Sequence, residues 1–392
     1  METEIMDKKI IYADNAATTR MSDSVIEAML PYMKEYYGNA SAVYRIGREA
    51  HQAIEKARKR IAKVINAGAM DIYFTSCGTE ADNWAIKGTA RKMAEEGKKH
   101  IITSNIEHHA VLHSCAALEK EGFEVTYLPV DEKGMITPEQ VGEAIREDTA
   151  LVTIMYANNE IGSIEPVAEI GRVCRDAGVL FHTDAVQAAG ILPIDVREQN
   201  IDMMSVSAHK FNGPKGVGFL YCKRNLHPQI FMDGGAQERG HRAGTENVAG
   251  IIGMAQALED AARDRDENAA RLAAMRDRIQ AGLLEIPDSR VNGNQEKRLP
   301  GTLNMSFSKI DGQSLLFSLD LKGVEASSGS ACASGSLDPS HVLLAIGLPY
   351  EQAHGSLRIT VGKYNTMEEA DEIIRAVKET VAELRGQGTA LS

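Results

Sequence analysis

The 392-residue sequence predicts an α/β fold, a mostly parallel sheet covered by helices on both faces with a smaller α+β domain beside it. Three observations predict it. Between Ile72 and Val206, short apolar runs alternate with amphipathic stretches of helix length, the spacing of parallel strands joined by crossover helices. Five of those runs end in polar or titratable residues, as expected where an open parallel sheet gathers a ligand at the carboxyl ends of its strands. Near residue 255 the character shifts to long charged helices and irregular alternation, which marks a second core.

In chain order, 9–12 is a short apolar strand running into the small, polar turn 14–19. A helix over 23–36 is broken by Gly38-Asn39-Ala40-Ser41, and the next carries Ala50, Ile54, Ala57, Ile61 and Val64 on one face. Strands are then expected at 72–75, 100–103, 124–128, 151–156, 179–182 and 201–206. Helices are expected at 80–93, 109–120, 138–146 and 167–176. A single helix over 258–284 buries Leu272, Met275, Ile279 and Leu283. The last helix opens on Thr366-Met367-Glu368-Glu369, a capping box, and buries Ile373, Val377, Val381 and Leu384, with 386–392 frayed. The expected division is 19–262 as the large domain, with 1–18 and 263–392 forming the small one.

A hydrophobic content of 43% and a charged content of 25% are those of an ordinary folded protein. The net charge of −12 argues against nucleic acid or an anionic membrane as the main partner. Residues 1–11 have no apolar h-region, and no apolar run reaches membrane length, so the cytoplasm is the expected location. Cys77, Cys115, Cys174, Cys222 and Cys332 are odd in number and widely spread, which suits free thiols in a reducing compartment.

The strand ends carry the chemistry. Lys210 follows the 201–206 run in Ser205-Val-Ser-Ala-His-Lys-Phe-Asn-Gly-Pro-Lys-Gly216. It is either a surface lysine or an amine whose pocket makes it a nucleophile towards carbonyls. Gly78 and Thr79 open a helix, as a plain cap or as a cradle for an anion such as phosphate. Asp184 follows an apolar run and, being buried, needs a partner, either a protonated ring nitrogen or a structural arginine. Gln187 either lies exposed or donates to a nearby oxygen. His108, His109, His113 and Cys115 invite a metal reading, since His109 and His113 are four apart on a helix. No further ligand set supports it, and a single histidine stacked on a flat ring fits the place better, so no metal is expected. A phosphate cradle, a ring stacker, a carboxylate for a ring nitrogen and a Schiff-base lysine together describe a pyridoxal phosphate site.

The motif Ser207-Ala-His-Lys210-Phe-Asn-Gly-Pro-Lys-Gly216 is preceded by His182-Thr-Asp-Ala-Val-Gln-Ala188 and Asn158-Asn-Glu-Ile-Gly162. This set resembles the cysteine desulfurases of the class V aminotransferase family. The likeness runs from Tyr12-Ala-Asp-Asn-Ala-Ala-Thr-Thr19 to Leu357-Arg-Ile-Thr-Val-Gly362. It implies the fold type I of pyridoxal 5'-phosphate (PLP) transferases and, at matching positions, a set of roles. Lys210 would bond to the cofactor, and His108 would stack on its ring and shuttle protons. Asp184 would hold the ring nitrogen and Gln187 contact the phenolic oxygen. Gly78, Thr79, Ser207 and His209 would bind the phosphate. Thr245, in Arg242-Ala-Gly-Thr, would reach the phosphate in a second copy, making a homodimer. Asn159 and Arg358 would hold the substrate carboxylate, the arginine as a two-pronged fork. Cys332 sits in Ser327-Ser-Gly-Ser-Ala-Cys-Ala-Ser-Gly-Ser-Leu-Asp-Pro-Ser340, and the IscS/NifS-like group places its persulfide cysteine in a motif of this form, here on a loop at about 325–340.

The implied reaction takes sulfur from L-cysteine, releases L-alanine and leaves a persulfide on Cys332 for a sulfur-acceptor protein, an iron–sulfur scaffold first and other thiolation second. Ala40, Ala42 and Tyr44 depart from the family's usual Gly-Asn-Pro-Ser-Ser pattern, in a loop and not among the cofactor residues. The competing readings are a selenocysteine lyase or small aminotransferase, a binding protein that has lost its chemistry, and a dinucleotide oxidoreductase. The small aminotransferase is countered by Cys332, since it needs no thiol, the binding protein by the intact Lys210, Asp184, His108 and Cys332, and the oxidoreductase by the lack of Gly-x-Gly-x-x-Gly after the early strands.

Overall fold

The computed structural model describes residues 10–328 and 339–389. Its strands are β1 (Ile11–Tyr12), β2 (Ile72–Thr75), β3 (His100–Ser104), β4 (Glu124–Leu128), β5 (Thr149–Thr153), β6 (Leu180–Asp184), β7 (Met203–Ser207), β8 (Gly218–Cys222), β9 (Ser289–Val291), β10 (Thr302–Phe307), β11 (Val324–Glu325) and β12 (Ser356–Thr360).

Seven strands form the large sheet in the order β2-β8-β7-β6-β5-β3-β4. All neighbours are parallel except β8, which runs antiparallel to β2 and β7. β3, β5, β7 and β8 are buried along their whole length, as strands covered on both faces must be. One face, through Ile102, Val152, Met204 and Phe219, packs on the helices Arg45–Val64, Val167–Ala177 and Val248–Arg263. The other, through Ile101, Leu151, Met203 and Leu220, packs on Trp84, Ile86, Val111 and Leu118.

A second core forms around the antiparallel strands β12-β10-β9 and the helices Arg265–Leu283, Gly312–Leu321 and Met367–Thr389. β1 belongs to this part, because Ile11 and Tyr12 pair in parallel with Val324 and Glu325 of β11. The capping box forms as expected, with Thr366 N–H on Glu369 and Glu369 N–H on the Thr366 hydroxyl, both at 3.3 Å.

Four expectations are corrected. The single helix over 258–284 is two helices, Val248–Arg263 and Arg265–Leu283. Asp264 leaves helical geometry at φ −94°, ψ 5°, where the Arg263 guanidinium forks onto its carboxylate at 2.8 and 3.0 Å. The break lets one helix serve each core. β8 was not expected at all. The helix expected over 80–93 begins earlier, at Gly78–Asn83, passes through a π turn at Trp84–Gly88 and resumes at Thr89–Ala94. The last helix continues to Thr389 rather than fraying at 386.

Candidate active site

The carboxyl ends of β2, β3, β5, β6 and β7 meet at a cleft of about 300 Å³. Gly78, Thr79, His108, Asn159, Asp184, Gln187, Ser207, His209, Lys210 and Arg358 all line it. Ten of the twelve residues singled out in the sequence are therefore brought together. Thr245 is exposed and does not line its own chain's cleft, and Cys332 lies outside the described residues.

Each element fixes its residue for a local reason. β2 ends at Thr75, and Cys77 is the last residue before the helix that Gly78 opens. A Cβ on Gly78 would lie 2.6 Å from the Val186 Cγ2 methyl, so glycine is what lets this helix start lie against the end of β6. This helix start lies on a cleft that Ser207 and His209 also line, and a helix start offers backbone N–H groups to an anion. Glu80, one turn in, accepts from Ser76 N–H at 2.8 Å and the Ser76 hydroxyl at 2.6 Å, which closes the turn.

His108 caps the helix His109–Glu119, its Nδ1 accepting from Ala110 N–H at 3.1 Å. A neutral ring that accepts at Nδ1 carries its hydrogen on Nε2. Burial pushes its pKa down to about 4, reinforced by the charges of Lys210 and the neighbouring histidines, so the ring is a flat, uncharged wall. His109 stacks on His113, with centroids 5.1 Å apart, and lies 4.9 Å from His341. Among the described residues no three His, Cys, Asp or Glu side chains are placed to hold a metal ion.

Asp184 is 6% exposed and accepts from Val186 N–H at 2.9 Å. Burial raises its carboxyl to about 6, while that hydrogen bond and the Lys210 charge pull it down. Lys210 sits in the short turn Ala208–Lys210 after β7 and donates to the Ala16 carbonyl and, at 2.9 Å, to that of Ala17. Gln187 donates to the same Ala16 carbonyl at 3.0 Å. The N-terminal turn therefore forms one wall of the site. Arg358 on β12 donates to the Asn159 carbonyl at 3.0 Å and to Asp14 at 2.7 Å. Its fork is thus partly engaged, and buried Nε has no hydrogen-bond partner among the described residues.

Sequence reasoning gave no role to Asp82, Asp14 or Arg242. Asp82 also lines the cleft, 1% exposed; its Oδ1 makes no hydrogen bond among the described residues and lies 3.8 Å from His182 Nε2. Burial and the Asp184 charge raise its pKa well above the ordinary value. Its spacing of four from Gly78, on one helix face, was the available signal. Cys115, Cys174 and Cys222 are buried, whereas Cys77 is partly exposed and lines the cleft. Ala40, Ala42 and Tyr44 lie outside it.

A lysine at a strand end, a buried carboxylate, a flat neutral histidine and a helix start on one cleft define an enzyme built around an aldehyde cofactor that bears a phosphate. The chain belongs to the aminotransferase class-V family, whose model matches residues 11–373, and its cofactor is PLP in fold type I. It is 52% identical over 379 residues to the cysteine desulfurase IscS of Methanosarcina thermophila, covering 97% of this chain and 94% of that one. It is 50% identical over 380 residues to a Clostridium botulinum cysteine desulfurase IscS, covering 96% of each. A solved NifS-like protein superposes with a TM-score of 0.90 at 39% identity, covering 95% of this chain and 99% of that one. The structure of SspA in complex with cysteine gives 0.81 at 38%, covering 91% and 99%.

Proposed function

We propose that this chain is a cysteine desulfurase, taking sulfur from L-cysteine, releasing L-alanine and holding the sulfur as a persulfide on Cys332. The observation that carries this reading is a junction at Arg358. Its guanidinium lines the cofactor cleft, and its backbone pairs with Ser327, at the start of the segment that bears Cys332 (Arg358 N–H to Ser327 O at 2.6 Å, Ser327 N–H to Arg358 O at 3.2 Å).

The residues present fit the cofactor. The Gly78 helix start, with Thr79, Ser207 and His209, suits its phosphate, and the buried Asp184, beside an Asp82 oxygen that makes no hydrogen bond among the described residues, suits a protonated ring nitrogen. Bound there, PLP supplies an electron sink for bonds around the substrate α-carbon. Lys210 is the amine that would hold the cofactor, and it would move protons at the substrate carbons. Asp184 holds a negative charge at the ring nitrogen. His108 stacks on the ring, and its Nε2–H is the donor it offers. Gln187 takes the phenolic oxygen. Arg358 Nε and Asn159 take the substrate carboxylate. The Cys332 thiolate attacks the substrate sulfur, so that an S–S bond forms as the Cβ–S bond breaks. A proton added at Cβ completes L-alanine.

Thr245, exposed and away from its own cleft, is assigned to the phosphate site of a second copy, which makes the working form a homodimer. Exposed Met33, Tyr37, Val43 and Tyr44 provide apolar surface for it. The two separate cores support a division into 19–262 and 1–18 with 263–392. The sulfur goes to a protein acceptor in the cytoplasm, an iron–sulfur scaffold first. No helix among the described residues is long and apolar enough to cross a membrane.

The test is a single turnover of purified protein with L-cysteine, following L-alanine and the Cys332 persulfide, beside Cys332→Ala and Lys210→Ala. A yellow protein that makes both products, with both lost in the variants, is the expected result. Sulfur release that survives Cys332→Ala would replace this reading with a lyase. A colourless protein that binds no PLP would overturn it.

A further inference from the structure

We propose that Glu160 is a positioning residue for sulfur transfer, fixing through Ser340 the chain just beyond Cys332 to the wall of the cofactor cleft. The inference rests on the desulfurase reading above and adds to it a residue that touches neither cofactor nor substrate.

The Ser340 hydroxyl, 4% exposed, donates to Oε2 of Glu160, 5% exposed. The same hydroxyl accepts from the N–H groups of Val342 at 3.1 Å and Leu343 at 3.4 Å, so it also starts the helix His341–Ala345. One side chain therefore sets both where this helix begins and what it is tied to. Glu160 is the neighbour of Asn159 in sequence, and its N–H is held by the Asn158 side chain at 2.9 Å. A second tie lies one residue on, where the His341 ring meets the carbonyl of Glu107, the neighbour of His108, at 3.0 Å. Val342, Leu343 and Ile346 then pack on Ile106, Met155 and Ile161, beneath the same strand ends.

A buried carboxylate in this place needs an explanation. Burial pushes the Glu160 carboxyl up to about 7, even against the Ser340 bond and the Arg358 charge, which favour its ionised form. A well-packed apolar side chain would hold helix and sheet together without that cost. What an apolar residue lacks is direction, since only a hydrogen bond defines the placement of Ser340 to a fraction of an ångström. Cys332 lies eight positions before Ser340, and Arg358 anchors the other side at Ser327. Both anchors end on residues next to, or part of, the proposed substrate-carboxylate site.

The experiment is stopped-flow single turnover of the PLP-loaded protein with L-cysteine. The cofactor absorbance change reports substrate engagement, and mass spectrometry of quenched samples reports the Cys332 persulfide. Glu160→Ala is expected to leave the absorbance change unaltered and to slow persulfide formation about tenfold or more, as a misplaced reacting group does. Ser340→Ala should do the same, and the double variant should be no slower than the slower single one, because both remove one contact. Glu160→Gln, whose amide oxygen still accepts from Ser340, should restore the wild-type rate. Wild-type persulfide formation in Glu160→Ala would overturn the proposal. So would an absorbance change slowed in proportion to transfer, or additive losses in the double variant. A wild-type protein that forms no Cys332 persulfide would overturn the desulfurase reading itself, and this inference with it.

Discussion

Arg242 grips Glu80 with two parallel hydrogen bonds, Nε to Oε1 at 2.7 Å and Nη2 to Oε2 at 2.9 Å. The pair joins the segment that leads to Thr245 to the helix start that carries Gly78 and Thr79. The two parts of the proposed phosphate chemistry are therefore mechanically linked within one chain, although Thr245 is assigned to the second copy.

Arg242→Ala should loosen that helix start. Glu80 would keep its two Ser76 donors, so the expected loss is about 2 kcal/mol of stability, near the value of a charge-assisted pair. PLP affinity should fall in parallel. Urea unfolding with and without PLP checks both, and an unchanged affinity would show that the linkage does not bear on the phosphate site.

Gly78→Ala sets two effects against each other. Alanine in a helix gains roughly 0.5–1 kcal/mol over glycine. The new Cβ would stand 2.6 Å from Val186 Cγ2, and overpacking of that kind costs about 1–3 kcal/mol. The clash should win, giving a less stable protein that releases PLP more readily, and Val186→Ala in the same chain should recover most of the loss. A Gly78→Ala protein more stable than wild type would contradict the close approach of helix and β6.

Arg58 and Glu238 form a buried two-pronged pair, both bonds 2.8 Å and both side chains 3% exposed. Arg58 also donates to the Ile72 carbonyl at 2.7 Å, and Glu238 accepts from Phe74 N–H at 3.0 Å, so the pair clamps β2 at the edge of the large sheet. Arg58→Met alone should cost about 3–5 kcal/mol, because it strands a carboxylate in the core. Arg58→Met combined with Glu238→Gln should cost less than the sum of the single changes. Additive losses in a double-mutant cycle would show that the two residues do not act as a pair.

Glu107 and Glu165 give the fold a dependence on pH. Burial raises both carboxyls to about 8, with Asp184 adding to Glu107 and Glu107 to Glu165. Folding therefore favours their protonated forms. That contribution is fully present below the unfolded pKa of about 4.3 and is lost as pH rises through about 8. Glu107→Gln should lessen the fall in Tm between about pH 5 and pH 9. An equal fall in both proteins would place the pH dependence elsewhere.

Most of the large sheet and nine of the twelve proposed site residues follow local rules in the sequence, whereas Arg358, on β12 of the small sheet, was pointed to only by the family resemblance. Apolar runs mark strands, and a parallel sheet gathers the residues just beyond each run on one edge. β8 was missed although Val217–Cys222 is an apolar run bounded by glycine and Lys223-Arg224-Asn225; it comes after the lysine turn and breaks the strand–helix rhythm by returning antiparallel. The helix break at Asp264 carries no glycine or proline, and arises because two cores compete for one long helix. The ties from Arg242 to Glu80, Arg358 to Asp14 and Ser340 to Glu160 join residues remote in sequence, and no periodicity announces them.

The pairing of β1 with β11 has a meaning for synthesis. A ribosome delivers Ile11 and Tyr12 at the outset and Val324 and Glu325 only when most of the chain is out, so the first strand is made without its neighbour. All seven strands of the large sheet lie within the first 222 residues, so they can pair before β11 is made. The turn at Ala16 and Ala17, on which Lys210 rests, hangs from that waiting strand. The lysine's seat is therefore completed last, and a nascent chain cannot hold a finished cofactor site before its own far end arrives.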